Sequence, residues 1–310
     1  MSSQIAFGNN KEYDIQFFWR RLNSNSITPN FKFIADPTKE QKERLSLEDK
    51  QNIADYWVKN HKSWTSYTLG TLIKASPSGA IWVPTEYAIY RVAADPTDIL
   101  LELDSSLYRE HRVSSVGIAI YTPQGVIVQR RPKGLTAGGL FDSGVAGFAI
   151  VKDENSLDVP SNLFTLASGV APHKAINLDF YRTILDKIAF ELYSATKDNV
   201  TEIVQGLEER IKNGDLTLKI TGVFSGGACM SGMVSARLDI SPSLEELTFD
   251  KIQERLRQKD PTMKRTGELT VINPKDLPSF VHDKFLEDKL VEDGASTFLA
   301  SLPIDTFGGT

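Results

Sequence analysis

The sequence holds a single cysteine, Cys229, and only four histidines among 310 residues. One thiol excludes an intramolecular disulfide framework and a multi-cysteine zinc centre, and it fits a reducing compartment. No stretch approaches the ~20 consecutive apolar residues of a membrane helix, and the opening residues carry no apolar core of secretory length. A cytoplasmic, membrane-free protein is therefore expected. Positive charge is not in excess either: 35 Lys and Arg stand against 40 Asp and Glu, a net −5, which argues against a large nucleic-acid footprint. The sequence contains no G-x-S-x-G, no G-x4-G-K-[ST] and no H-E-x-x-H, which disfavours a hydrolase elbow, a P-loop and a zincin. It also lacks internal repeats and low-complexity tracts.

What is present is an ordinary globular composition, 41% hydrophobic and 24% charged, spread unevenly. All four tryptophans, Trp19, Trp57, Trp64 and Trp82, fall in the first hundred residues. That asymmetry suggests a small α+β domain over residues 1–105 and a second domain over 106–310, with the boundary near Asp95-Pro96-Thr97. Capping signals at Asp36-Pro37 and at Ser46-Leu47-Glu48-Asp49 predict helix across 37–60. Residues 67–73 and 80–90 read as strands.

From Val113 the chain alternates, with Val116, Ile118 and Ile120 on one face, a turn at Thr122-Pro123-Gln124-Gly125, and then Val126 and Val128. A hairpin with one buried face is predicted. Residues 134–147 are rich in glycine, including Gly138 and Gly139, and such a loop often borders a ligand. The best helical period in the chain runs through Leu178, Tyr181, Ile184, Leu185, Ile188, Leu192 and Ala195, with Asn177 as its expected cap. A second helix is predicted near 200–212 with a stop at Asn213-Gly214. Strands at 216–224 and 233–240, a helix at 244–258, a strand at 268–272 and a last helix at 277–291 complete the pattern.

This order, together with Gln129-Arg130-Arg131 at a hairpin end, Gly138-Gly139-Leu140-Phe141-Asp142 with Val145-Ala146-Gly147, and Thr221-Gly222-Val223-Phe224, resembles the Nudix hydrolase superfamily over about two-thirds of the chain. The resemblance implies an α/β/α sandwich with a mixed sheet. It also implies divalent-ion chemistry on a diphosphate, for which that family uses the box G-x5-E-x7-R-E-U-x-E-E-x-G-U. Here the box is degenerate. Residues 186–193 keep the apolar Ile188 and the final glutamate, Glu191, while Lys187 and Phe190 stand where carboxylates belong. Asp186 replaces the arginine and Tyr193 the glycine.

Several residues could serve a rebuilt site, and each has an ordinary structural reading beside it. Glu191 and Asp179 are candidate metal ligands, with Mg²⁺ or Mn²⁺ the ion that activity would require. Glu191 also suits an ion pair with Lys187, and Asp179, Arg182 and Asp186 suit a surface charge ladder. Glu191 and Glu268 are the candidate catalytic groups. Arg130, Arg131 and Lys133, with Gly138, Gly139, Asp142 and His173, are candidates for holding a diphosphate. Cys229 reads as a small core filler more readily than as a nucleophile. The expected function is binding of a nucleotide-like or diphosphate-containing metabolite with hydrolysis weak or lost. An active metal-dependent pyrophosphohydrolase is the first alternative. An interaction module using the aromatic N-terminal region, itself a candidate pocket cover or homodimer contact, is the second.

Overall fold

The computed structural model describes residues 3–7, 11–15, 30–34, 47–61, 65–76, 79–88, 113–133, 138–153, 160–162, 177–226, 231–258 and 267–302. These form a mixed α/β structure around one large mixed sheet. Among the described residues, strands β1 (Ser3–Phe7) and β2 (Lys11–Ile15) pair only with each other. The other strands join a sheet of eleven: β3 (Asn30–Phe33), β4 (Thr65–Ser76), β5 (Gly79–Glu86), β6 (Val113–Thr122), β7 (Gly125–Arg130), β8 (Phe141–Ser143), β9 (Val145–Phe148), β10 (Pro160–Asn162), β11 (Leu216–Gly226), β12 (Ser231–Ile240) and β13 (Glu268–Ile272). The α-helices among the described residues are α1 (Leu47–His61), α2 (Phe180–Leu192), α3 (Val200–Asn213), α4 (Phe249–Gln258), α5 (Leu277–Leu286) and α6 (Glu292–Ser301). None of them is long and apolar enough to cross a membrane.

Strand β6 lies at the centre, and every one of its residues is buried, so helices cover both of its faces. Val116, Ile118 and Ile120 join the core of α2, which contributes Phe180, Ile184, Leu185 and Ile188, together with residues of α3 and α4. Ala119 and Tyr121 point the other way, into a second core with Leu277 and Val281 of α5 and Phe298 of α6. The expected one-faced hairpin is therefore buried on both sides, because the late helices supply a second layer.

The sheet runs across the expected boundary near residue 105. Strands β4 and β5 lie between β6 and β3, and the Phe180 ring stands 4.8 Å from Trp82, which is fully buried, and 5.0 Å from Phe31. Trp57 is buried edge-on to Tyr87. Trp19 and Trp64 lie outside the described residues, as do the predicted helix start at residue 37 and Cys229.

The cap of α2 differs from expectation. Asp179, not Asn177, is the N-cap, and its carboxylate accepts from Arg182 N at 2.8 Å. The backbone of Asn177 is instead bridged to Lys152. The stop after α3 is as predicted, with Gly214 at φ 84.

The last predicted helix, 277–291, ends early at Leu286, and α6 follows beyond the predicted bounds. Its sequence, EDGASTFLAS, is poor in strong helix formers because its small residues let it lie close to the sheet. A Cβ on Gly294 would come within 2.7 Å of Asp142 Oδ1 and 3.0 Å of the Asp142 Cα. One on Gly117, across the contact, would lie 2.3 Å from Thr297 Oγ1. Gly206, by contrast, sits inside α3 with nothing within 4 Å of an added Cβ. Gly294→Ala should therefore lower stability by about 1–3 kcal/mol through overpacking. Gly206→Ala should raise it by about 0.5–1 kcal/mol by removing backbone freedom from the unfolded helix. Urea denaturation of the two single variants should give shifts of opposite sign.

Candidate functional site

Strands β6 and β7 begin as a tight hairpin. Gly125 turns it at φ 142, and the ladder holds from Thr122↔Gly125 to Ile120↔Ile127. Continued, it would set Val116 opposite Arg131. Instead the strands fork, and a second reversal of the chain is wedged between them. Strand β8 runs inward along β7, with Arg130↔Phe141, Gln129↔Asp142 and Val128↔Ser143. The chain turns at Gly144, and β9 runs outward along β6, from Ile118↔Val145 to Ser115↔Phe148. Gly144 lies at the wedge tip, where a Cβ would meet Ile120 Cδ1 at 3.1 Å and Ile127 O at 3.4 Å.

The fork brings several of the predicted residues to one end of the sheet. Arg130 ends β7, is exposed, and donates from Nε to Gly139 O at 3.1 Å. Arg131 bonds through its backbone to Gly139 and Leu140, and its Nη1 donates to Asp142 Oδ2 at 2.6 Å. Asp142 is buried, and its Oδ1 accepts from Ser143 N at 2.8 Å. Loss of water around it raises its pKa above the ordinary 3.8, and the Arg131 charge works against that rise without cancelling it. Gly139 needs its lack of a side chain for its φ of 85, whereas a Cβ on Gly138 would strike the carbonyls of Pro132 and Lys133. Lys133 is exposed in the same turn. Glu268 is exposed at the start of β13, opposite Arg130.

Helix α2 crosses above this end of the fork. Its start is anchored at β4, where Leu178 fills the space beside Gly70. Its end is held by α4, from which Arg255 Nε donates to Leu192 O at 3.0 Å. Between them Lys187 lies on Gly147 of β9: a Cβ there would sit 2.6 Å from both Cε and Nζ. Glu191, half-buried, comes one turn later.

Asp179 and Glu191 do not fit a shared ion. They stand at opposite ends of α2, twelve residues and about 18 Å apart along the axis, whereas ligands of one Mg²⁺ or Mn²⁺ must converge to about 2 Å from it. Asp179 is occupied as a cap, and the charge ladder reads as a partly exposed Arg182–Asp186 pair at 2.9 Å. Among the described residues no three His, Cys, Asp or Glu side chains gather as a metal site. His173 lies outside the described residues.

Gln129 lies outside the expected set of site residues. Paired in register with Asp142, it is 5% exposed, and its Oε1 is buried with no hydrogen-bond partner. A glutamine in an otherwise apolar strand run, Val126-Ile127-Val128-Gln129, was the signal available in the sequence. Comparison with known proteins adds no assignment, since no protein-family model and no curated protein matches the chain.

The Arg131–Asp142 pair makes two measurable demands. Arg131→Met leaves a buried carboxylate alone and should cost about 3 kcal/mol near neutral pH, a loss that shrinks as acid protonates Asp142. For Asp142 itself, a folded pKa above the unfolded one means that its contribution is full below 3.8 and is lost as pH rises through the folded value. The stability of wild type relative to Asp142→Asn should accordingly fall as pH rises through that window, as followed by urea denaturation.

Proposed function

We propose that this is a divergent Nudix-like protein that binds a nucleotide-like or diphosphate-containing metabolite at the mouth of the β6–β7 fork, with hydrolysis weak or lost. The observation that carries the reading is the β7–β8 turn, in which Arg130, Arg131 and Lys133 surround backbone shaped by Gly138 and Gly139. Cations beside closely approachable backbone suit phosphate oxygens, which guanidinium groups bind with charge-assisted hydrogen bonds.

Weak hydrolysis follows from where the carboxylates are. Asp142 is bound to Arg131, Asp179 caps a helix, and Lys187 takes a place that the resemblance assigns to a glutamate. An ion held by Glu191 alone would exchange freely with water. The interaction-module alternative loses support from Trp57 and Trp82, which are buried and offer no aromatic surface.

Thermal-shift binding and phosphate release on one panel of nucleoside diphosphate-linked compounds, with Mg²⁺ or Mn²⁺ present, test the reading together. Stabilisation without turnover is expected, and Arg130→Ala should reduce that stabilisation. Metal-dependent turnover that disappears in Glu191→Gln would establish an active pyrophosphohydrolase instead.

A further inference from the structure

We infer that the Lys187 ammonium is itself the phosphate-binding cation of the fork, so that the site engages a diphosphate without a divalent ion. This rests on the ligand class proposed above and assigns its charge partner.

Gly147 has no need of glycine for its backbone, since its φ lies outside the left-handed region. What it provides is room. An added Cβ would fall 2.6 Å from Lys187 Cε and Nζ, so the missing side chain is what lets the lysine lie down on β9. A flexible cation on an amphipathic helix ordinarily extends its charge into water. Here it is brought down to strand backbone instead, at a residue where Cβ is absent.

The location points to a ligand. Val116 pairs with Gly147 on β6, and by hairpin register Val116 stands level with Arg131 on β7. Lys187 and the Arg131–Asp142 pair thus occupy the same end of the fork, on its two arms. Among the described residues β9 pairs with no strand other than β6. Gln129, on the other arm, brings a nine-tenths-buried amide oxygen with no donor, the kind of group that a ligand hydroxyl or an ordered water completes. An ammonium on one arm and an unmatched acceptor on the other suit a phosphorylated metabolite that also carries hydroxyls.

The test is calorimetric titration of the full chain with ADP and with inorganic pyrophosphate, in excess EDTA and again with Mg²⁺. Wild type should bind in EDTA. Lys187→Met should weaken that binding about tenfold to a hundredfold, the loss expected for one charged hydrogen bond, and Lys187→Arg should retain part of it. Gly147→Ala keeps the charge but displaces it, and should weaken binding in the same direction. Its added Cβ meets only the far end of a flexible side chain, so the variant should stay folded, which its melting curve checks. Binding that is equal in wild type, Lys187→Met and Gly147→Ala would overturn the role of Lys187 and leave the diphosphate reading standing. Binding that requires Mg²⁺ would do the same. Silence toward both probes in both buffers overturns this inference, and the wider compound panel then decides the broader reading separately.

Discussion

The fork between β6 and β7 is the constraint on which the rest of this structure depends. Two strands that leave a tight turn would normally stay paired to their ends, and here they part after Ile120 and Ile127 because a second reversal occupies the gap. That insertion works only if its tip is very narrow, and Gly144 supplies the narrowness. It also requires the inserted strands to find partners, which β7 and β6 provide. Once the fork is open, its mouth brings groups from β7, β8 and β9 to one level, where two continuous strands would have offered a flat ladder.

Both helical layers are fitted to this opening. Helix α2 is held at one end by Leu178 against Gly70 and at the other by Arg255 on the Leu192 carbonyl, so Lys187 is carried over β9 at a set height. On the opposite face α6 approaches so closely that a Cβ on Gly294 would meet the backbone of Asp142. The outer edge of β8 is closed by residues leading into α6: Phe141 N donates to Lys289 O, and Val291 N donates to Phe141 O. The buried carboxylate of Asp142 is thus enclosed from several directions, and Arg131 is the cation that makes its charge tolerable.

Much of this fold was legible in the sequence wherever local chemistry dominates. The turn at Pro123-Gln124, the α3 stop at Gly214 and the strand 268–272 follow from turn residues, a left-handed glycine and alternation. Elements set by distant partners were harder to read. Helix α6 has weak helical propensity because its composition answers to the sheet beneath it, and the fork arises from pairings no local pattern encodes. The candidate site was legible only as a set of residue types, of which Arg130, Arg131, Asp142 and Glu268 come to one end of the fork. Its geometry was not, because where α2 begins and how long it runs decide that Asp179 and Glu191 stand at its opposite ends. Gln129 stands out among its apolar neighbours as a residue type, but its buried, unpartnered amide oxygen follows from tertiary packing that no local pattern encodes.

The parallel pairing of β6 with β12 has a consequence for the order in which this chain acquires structure. Val113 finds its partner in Ser231, and Tyr121 finds its partner in Asp239, so one whole edge of the central strand stays bare until two helices and β11 have been made. Gly117 and Tyr121 wait longer still, for Thr297 and Ser301. Such long-range closure makes for slow folding, with an apolar strand edge open to wrong partners in the meantime. During synthesis on the ribosome, the middle of this protein is therefore the part that most needs shielding, although in the finished molecule it is the part most thoroughly covered.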